Sequence, residues 1–266
     1  MNMRNWRLRP ELFDVLWAGT GQDRTPYPFR IVSAHPGLNA YVAEQNRIRE
    51  AFAGAEHDDV RSALGVLAEP EAYVEISGSS ADETPIRIIG AQHRQWVVIA
   101  SQLPGRVPQI GGDVVIGAGA AGRLGAQLIG AGAAGRLGAQ LIGLIPQNAA
   151  GRRRFQRRDE QDTHFSRGIL QEVNRAAPAP RLESAVQKGY AGRGKIRVFR
   201  GPRYGTGRDV GVMQWIDIAG DGRYAIGPHD PAAAHPAGPE QLVSSLDTLI
   251  RVGTTPRAGS VGARGW

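Results

Sequence analysis

The stretch from Val210 to Pro228 limits the fold more than any other part of this chain. Val210, Val212, Ile216 and Ile218 share one parity, and Met213, Trp215 and Asp217 share the other. Large apolar groups on both parities describe a central strand, packed on one face and partly covered on the other. Ala219-Gly-Asp-Gly222 follows. Asp-Gly is a strong hairpin signal, because glycine accepts a positive φ at no steric cost. Arg223, Tyr224 and Ile226 then resume alternation until Gly227-Pro228 ends the return strand.

The 266 residues allow one large domain or two small ones. Leu8, Leu12, Val15 and Leu16 lie on one helical stripe with Pro10 in the first turn, which predicts a short amphipathic helix over Leu8–Trp17. Phe29–Val32 continues as an extended piece. Leu38–Phe52 has near-helical spacing, and Asp58-Asp59 open a second helix that ends before Pro70. Three strands follow at Ala72–Ser77, Ile86–Ala91 and Gln95–Gln102, with Gly78–Pro85 as a polar loop. Pro108 and Gly111-Gly112 make Arg106–Ile116 an edge strand at best. Further on, the pattern predicts a helix within Phe155–Val173, a proline-stiffened linker at Arg175–Pro180 and a half-buried strand at Ile196–Arg200. Pro239-Glu240 open a C-terminal helix carrying Leu242, Val243, Leu246, Leu249 and Ile250. Thr254–Trp266 is expected to be disordered.

Residues 117–129 recur letter for letter as residues 130–142. Two copies are too few for a solenoid. At about 100° per residue, thirteen residues leave the second copy rotated by about 220° on a continuous helix. Leu124 and Leu128 therefore do not share a face with Leu137 and Leu141, so if one copy docks the other should extend into solvent, buckle or reset phase at its glycines.

Chemistry is hard to place. There is no cysteine, which excludes a disulfide scaffold, a thiol nucleophile and a cysteine-ligated metal. The N-terminus lacks the apolar core of a secretory signal. The six histidines show no zinc-ligand spacing. There is no G-x-S-x-G elbow, and no set of nucleophile, base and orienting group is recognisable, so no catalytic, cofactor or metal residue is assigned. Gly117–Gly122 after Val114-Val-Ile116 matches strand plus G-x-G-x-x-G, and an FAD- or NAD-linked oxidoreductase is the alternative this raises. Against it, no Asp or Glu lies between Val114 and Gly151 to hold a ribose. As a membrane span the same segment is poor, since Arg123 and Arg136 sit near its middle. Residues 151–208 hold 15 Lys/Arg against 5 Asp/Glu, whereas the rest holds 17 against 20. Such a segment can mark a polyanion partner, but no aromatic interleaving accompanies it, so no nucleic acid is assigned.

The strand Trp215-Ile216-Asp217, its glycine-acidic turn and the return Gly222-Arg223-Tyr224 resemble the EspG family, the cytosolic chaperones of type VII (ESX) secretion. So do the Leu12–Trp17 helix with its proline-bearing strand, the helix end Leu141-Ile-Gly-Leu-Ile-Pro146, and the glycine-rich lead from Gly189 into Ile196–Arg200. The Leu-Ile-Pro match assigns the ancestral position to the second repeat copy.

The resemblance implies an α+β fold: a central, mostly antiparallel sheet built from two related α/β halves, with flanking helices and a C-terminal helix. One domain over 1–253 is expected, with halves at about 8–146 and 147–253. It also implies a cytoplasmic, non-enzymatic protein without cofactor or membrane insertion, a monomer or weak dimer. Its partner would be a PE/PPE-type heterodimer or analogous helical secretion substrate, held at an apolar tip. Sheet and C-terminal helix surfaces would bind it, which nominates Ile76, Ser79, Ile86, Leu246, Leu249 and Ile250.

Overall fold

The computed structural model describes residues 4–32, 37–120, 137–157 and 180–254. Ten strands form one sheet in the order β1-β5-β4-β3-β2-β7-β8-β9-β10-β6. They are β1 Arg4–Leu8, β2 Ala72–Ser80, β3 Pro85–His93, β4 Trp96–Pro104, β5 Gly111–Ala120, β6 Phe155–Gln156, β7 Tyr190–Arg200, β8 Arg208–Ile218, β9 Gly222–Ile226 and β10 Ala233–Pro236. Every pair of named strands is antiparallel.

Counted outward from the β2–β7 seam, one side runs second, third, fourth, fifth, first strand of its half. The other side does the same. The two halves are thus one topology used twice, and the sheet is a single layer shared between them. At the seam Val74 pairs with Val198 and Ile76 with Ile196, so the join is as apolar as any interior pair.

Helices cover both faces. On one face α6 (Pro239–Thr254) crosses the seam, and α4 (Leu137–Gly143) lies beside it over β3, the two helices contacting each other. Their Leu137, Leu141, Leu242 and Leu246 bury against Ile76, Ile88, Ile196 and Met213. Gly90 opens space for this: a Cβ there would lie 2.8 Å from a Leu141 methyl. On the opposite face α1 (Pro10–Ala18) and α3 (Asp58–Ala68) close over β3–β5. They pack Phe13, Trp17, Leu64 and Leu67 on Ile89, Val98 and Ile116. α5 (Leu182–Gln187) covers the β8–β9 end of that same face through Leu182, Ile218, Tyr224 and Ile226. α2 (Leu38–Ala51) buries none of its residues. No helix among the described residues is long and apolar enough to cross a membrane.

Several expectations are corrected. The N-terminal helix begins at Pro10, because Leu8 closes β1, a strand the proline-led pattern concealed. Half of the polar loop at Gly78–Pro85 is strand, leaving four residues between β2 and β3. Arg106–Ile116 is not at an edge. Pro108 lies ahead of β5, and β5 is paired on both sides, to β4 and β1. Phe155-Gln156 pairs with β10 as a strand instead of opening a helix; Arg158–Val173 and Arg175–Ala179 lie outside the described residues, as does the tail from Thr255 to Trp266.

The repeat is described at its two ends. Gly117–Ala120 of the first copy finish β5, and Leu137–Ile142 of the second copy dock as α4. Val114 and Ile116 precede the first copy and are fully buried, while Ile145 follows the second and is also buried.

Candidate partner-binding surface

Two devices in the β8–β9 hairpin shape the surface. The first is Arg223. Its guanidinium is fully buried and donates to both oxygens of Asp217, at 2.7 and 2.8 Å, and to the Pro146 carbonyl at 2.6 Å. Its backbone accepts from Gly151 and Ala237 and donates to Ala149. One residue therefore ties the end of the first half to the hairpin of the second. The second device is Trp215, which lies flat over glycines in adjacent strands. A Cβ on Gly194 would come within 2.0 Å of its ring and one on Gly78 within 3.0 Å.

On the opposite face the described helices leave the seam uncovered. Neither α1 and α3 on one side nor α5 on the other reaches it, and a trough of about 800 Å³ lies between α5 and Tyr27. Its floor consists of two cross-strand rows. Ser77, Lys195, Gln214 and Ile226 stand side by side in one, and Ser79, Arg193 and Ile216 in the next. Tyr27 is half exposed and donates to Ser77 at 2.9 Å, while Val186 and Ile216 supply apolar surface. Where the same face closes beside the trough, cations are paired. Arg203 meets Glu75 at 2.7 Å beneath Tyr73, and Arg197 meets Asp209 at 2.9 Å. Burial raises the Glu75 pKa and lowers that of Arg203. In the trough Arg193 and Lys195 are exposed, and Glu183 of α5 shares its lining. A sheet face that stays open needs such hydrophilic rows, since an apolar one would aggregate.

The β2–β3 turn at the trough's end is held by its own side chains. Asp82 accepts from the Ser80 and Thr84 hydroxyls and the Thr84 amide, which lowers its pKa to about 2. Tyr190 donates to Glu83 at 2.8 Å, tying the turn to β7. A free Asp titrates near 3.9, so the folded pKa is the lower of the two. The turn's stabilisation is therefore complete above about pH 4 and lost as pH falls toward 2. The Thr84 amide resonance should titrate with a midpoint near pH 2; a midpoint near 4 would show that these bonds do not form.

Of the six nominated residues, Ile76, Leu246, Leu249 and Ile250 lie in the core beneath α6, no more than 8% exposed. The apolar stripe that nominated them is the one that docks the helix. Ser79 stands on the trough floor, and Ile86 is half-buried on the other face. The trough residues Lys195, Gln214 and Ile216 were missed because their positions read as ordinary strand alternation. Among the described residues no three His, Asp or Glu side chains are grouped to hold a metal ion.

Fold and trough together define a two-half α+β sheet protein whose described helices leave one broad face open at the join of its halves. The chain belongs to the EspG family, whose model matches residues 9–248. No curated protein matches it by sequence. Among solved structures it is similar to the Mycobacterium tuberculosis type VII secretion system chaperone EspG5, determined in complex with a PE25–PPE41 dimer. The TM-score is 0.53 at 14% identity, over 96% of this chain and 98% of that one. At that identity the likeness speaks for the fold.

Proposed function

We propose that this chain is a cytosolic secretion chaperone. It seats the apolar tip of a PE/PPE-type helical substrate in the seam trough and holds it for type VII secretion, making and breaking no bond. The observation that carries this is the sheet face that the described residues leave open between α5 and Tyr27, in a chain of the EspG family that is similar to a structure solved with a PE–PPE dimer. A helical tip laid there would cover Ile216 and Val186 and exchange water on Ser77, Ser79 and Gln214 for its own polar ends. Ser79 keeps its nomination, and Ile86 borders the strand end beside it. The oxidoreductase alternative has no support: Gly117–Ala120 are strand residues paired with β4, Gly117 and Ala118 also with β1, and do not form a phosphate-cradling turn.

The test is co-expression with the PE/PPE pair encoded nearest to the gene. The wild-type chain should co-purify with it. Ser79→Trp, which fills the trough from its floor, should weaken capture at least about tenfold, or about 1.4 kcal/mol. Val42→Glu, on the outer surface of α2, should leave capture intact. Retention of the pair by Ser79→Trp would move the site elsewhere. Failure to retain any PE/PPE pair would overturn the reading.

A further inference from the structure

On the far side of α5 lies a second recess, of about 540 Å³, that the partner reading does not use. Arg152 and Arg153 reach it from the segment after α4, Arg181 and Lys188 from the two ends of α5. Ala219 and Gly220, in the β8–β9 turn, form its remaining wall, with Ser184 adding a hydroxyl. All four cations are exposed. The one acid in the lining is Asp221, and both of its oxygens are engaged: the Arg152 amide donates to one at 3.2 Å and the Tyr224 hydroxyl to the other at 2.6 Å. Of the four, only Arg152 approaches a described carboxylate, Asp221, at 3.9 Å.

The segment carrying the arginines is anchored. The Gly151 amide donates to the Arg223 carbonyl at 2.9 Å, and the Arg152 amide also reaches the Tyr224 hydroxyl at 3.1 Å. Gly151 has to be glycine, because a Cβ would stand 2.0 Å from the Tyr224 ring. Arg153 lies over the Phe155 ring at 5.5 Å. Two of the four cations therefore stand on a backbone held by the hairpin, and the other two on a helix packed against it.

We propose that this recess binds a phosphate-bearing small molecule. Four like charges around one hollow repel each other when it is empty, and an anion of more than one charge relieves most of that repulsion. Guanidinium forks match phosphate oxygens in pairs, and the tetrahedral group accepts from several directions at once. A carboxylate neutralises only one of the four. An acidic helix presents its charges along a line, whereas these cations come from two separated segments on different sides of a hollow. The hollow also has the size of ordinary small-ligand sites. The phosphate belongs either to a nucleotide or to a free polyphosphate.

The experiment is calorimetric titration of the purified full chain with sodium pyrophosphate, with ATP and with hexaglutamate. Pyrophosphate and ATP should both bind, and hexaglutamate at least tenfold more weakly. Tighter ATP binding assigns a nucleotide, and equal binding assigns the phosphates alone. Arg181→Gln with Lys188→Gln, both on the exposed side of α5, should weaken pyrophosphate at least tenfold. Arg193→Gln with Lys195→Gln, in the trough across α5, should change it less than twofold. Absence of binding by either phosphate probe at low millimolar concentration would overturn the proposal. Equal loss in the two double variants, or hexaglutamate binding as tightly as pyrophosphate, would also overturn it. These readouts need no PE/PPE partner, so this proposal and the chaperone reading fail independently.

Discussion

Replacing Arg223 by alanine should destabilise the chain by about 3–5 kcal/mol, because it strands the Asp217 carboxylate in the interior without its partner. Asp217 is 4% exposed and Arg223 0% exposed, so water cannot take over the lost bonds. The variant also frees the Pro146 carbonyl, which accepts from the same guanidinium. For a chain of this size the melting temperature should fall by roughly 6–20 °C. Arg223→Lys should recover only part of the loss, since one ammonium cannot span both Asp217 oxygens and Pro146 together. Urea denaturation of the three proteins decides the matter. A loss below about 1 kcal/mol for Arg223→Ala would mean that the pair is solvated and the halves are joined by other contacts. The backbone of residue 223 is unchanged in these variants, so its bonds to Ala149, Gly151 and Ala237 stay available and the test isolates the side chain.

Trp215→Ala should be comparably severe, at about 3–5 kcal/mol, through the cavity left under α6. The indole is 2% exposed and packs with Met213, Leu242 and Leu246 over the glycine pair Gly78 and Gly194. No neighbouring side chain can move in from below, because those two positions have none. Trp215→Phe keeps a ring over the glycines and should lose markedly less. Gly194→Ala tests the same contact from the other side, since its methyl would meet the ring at 2.0 Å and the Ser77 carbonyl at 2.5 Å. It should destabilise by at least about 1–3 kcal/mol, the cost of overpacking a core. A Gly194→Ala protein as stable as wild type would show that the indole does not rest where described.

The hairpin around Asp-Gly was legible because turn chemistry and strand alternation agree there and act over a few residues. The C-terminal helix was legible for the same reason, from Pro239-Glu240 to Gly253. Its apolar stripe reads as a surface for a partner, however, and Leu246, Leu249 and Ile250 meet the chain's own sheet. An amphipathic stripe states that something apolar covers it and does not say whose. β1 shows a second limit. Arg4–Leu8 has little strand pattern of its own, and it is a strand because β5, more than a hundred residues later, offers it a partner edge. In the repeat, the first four letters of the first copy, Gly117–Ala120, finish a strand that buried Val114 and Ile116 begin, and the last six letters of the second copy, Leu137–Ile142, form a helix that runs toward buried Ile145.

The sequence by itself determined the element types where local signals are strong, the absence of thiol chemistry and the family. Only the tertiary structure decided which apolar stripes are interior and which face stays open. The trough exists because two halves that each cover their own outer strands meet at β2 and β7, where no described helix of that face reaches. The phosphate recess exists because residues 152, 181 and 220, far apart in the chain, surround one hollow. Both follow from long-range pairing, and pairing partners are not written in any local window.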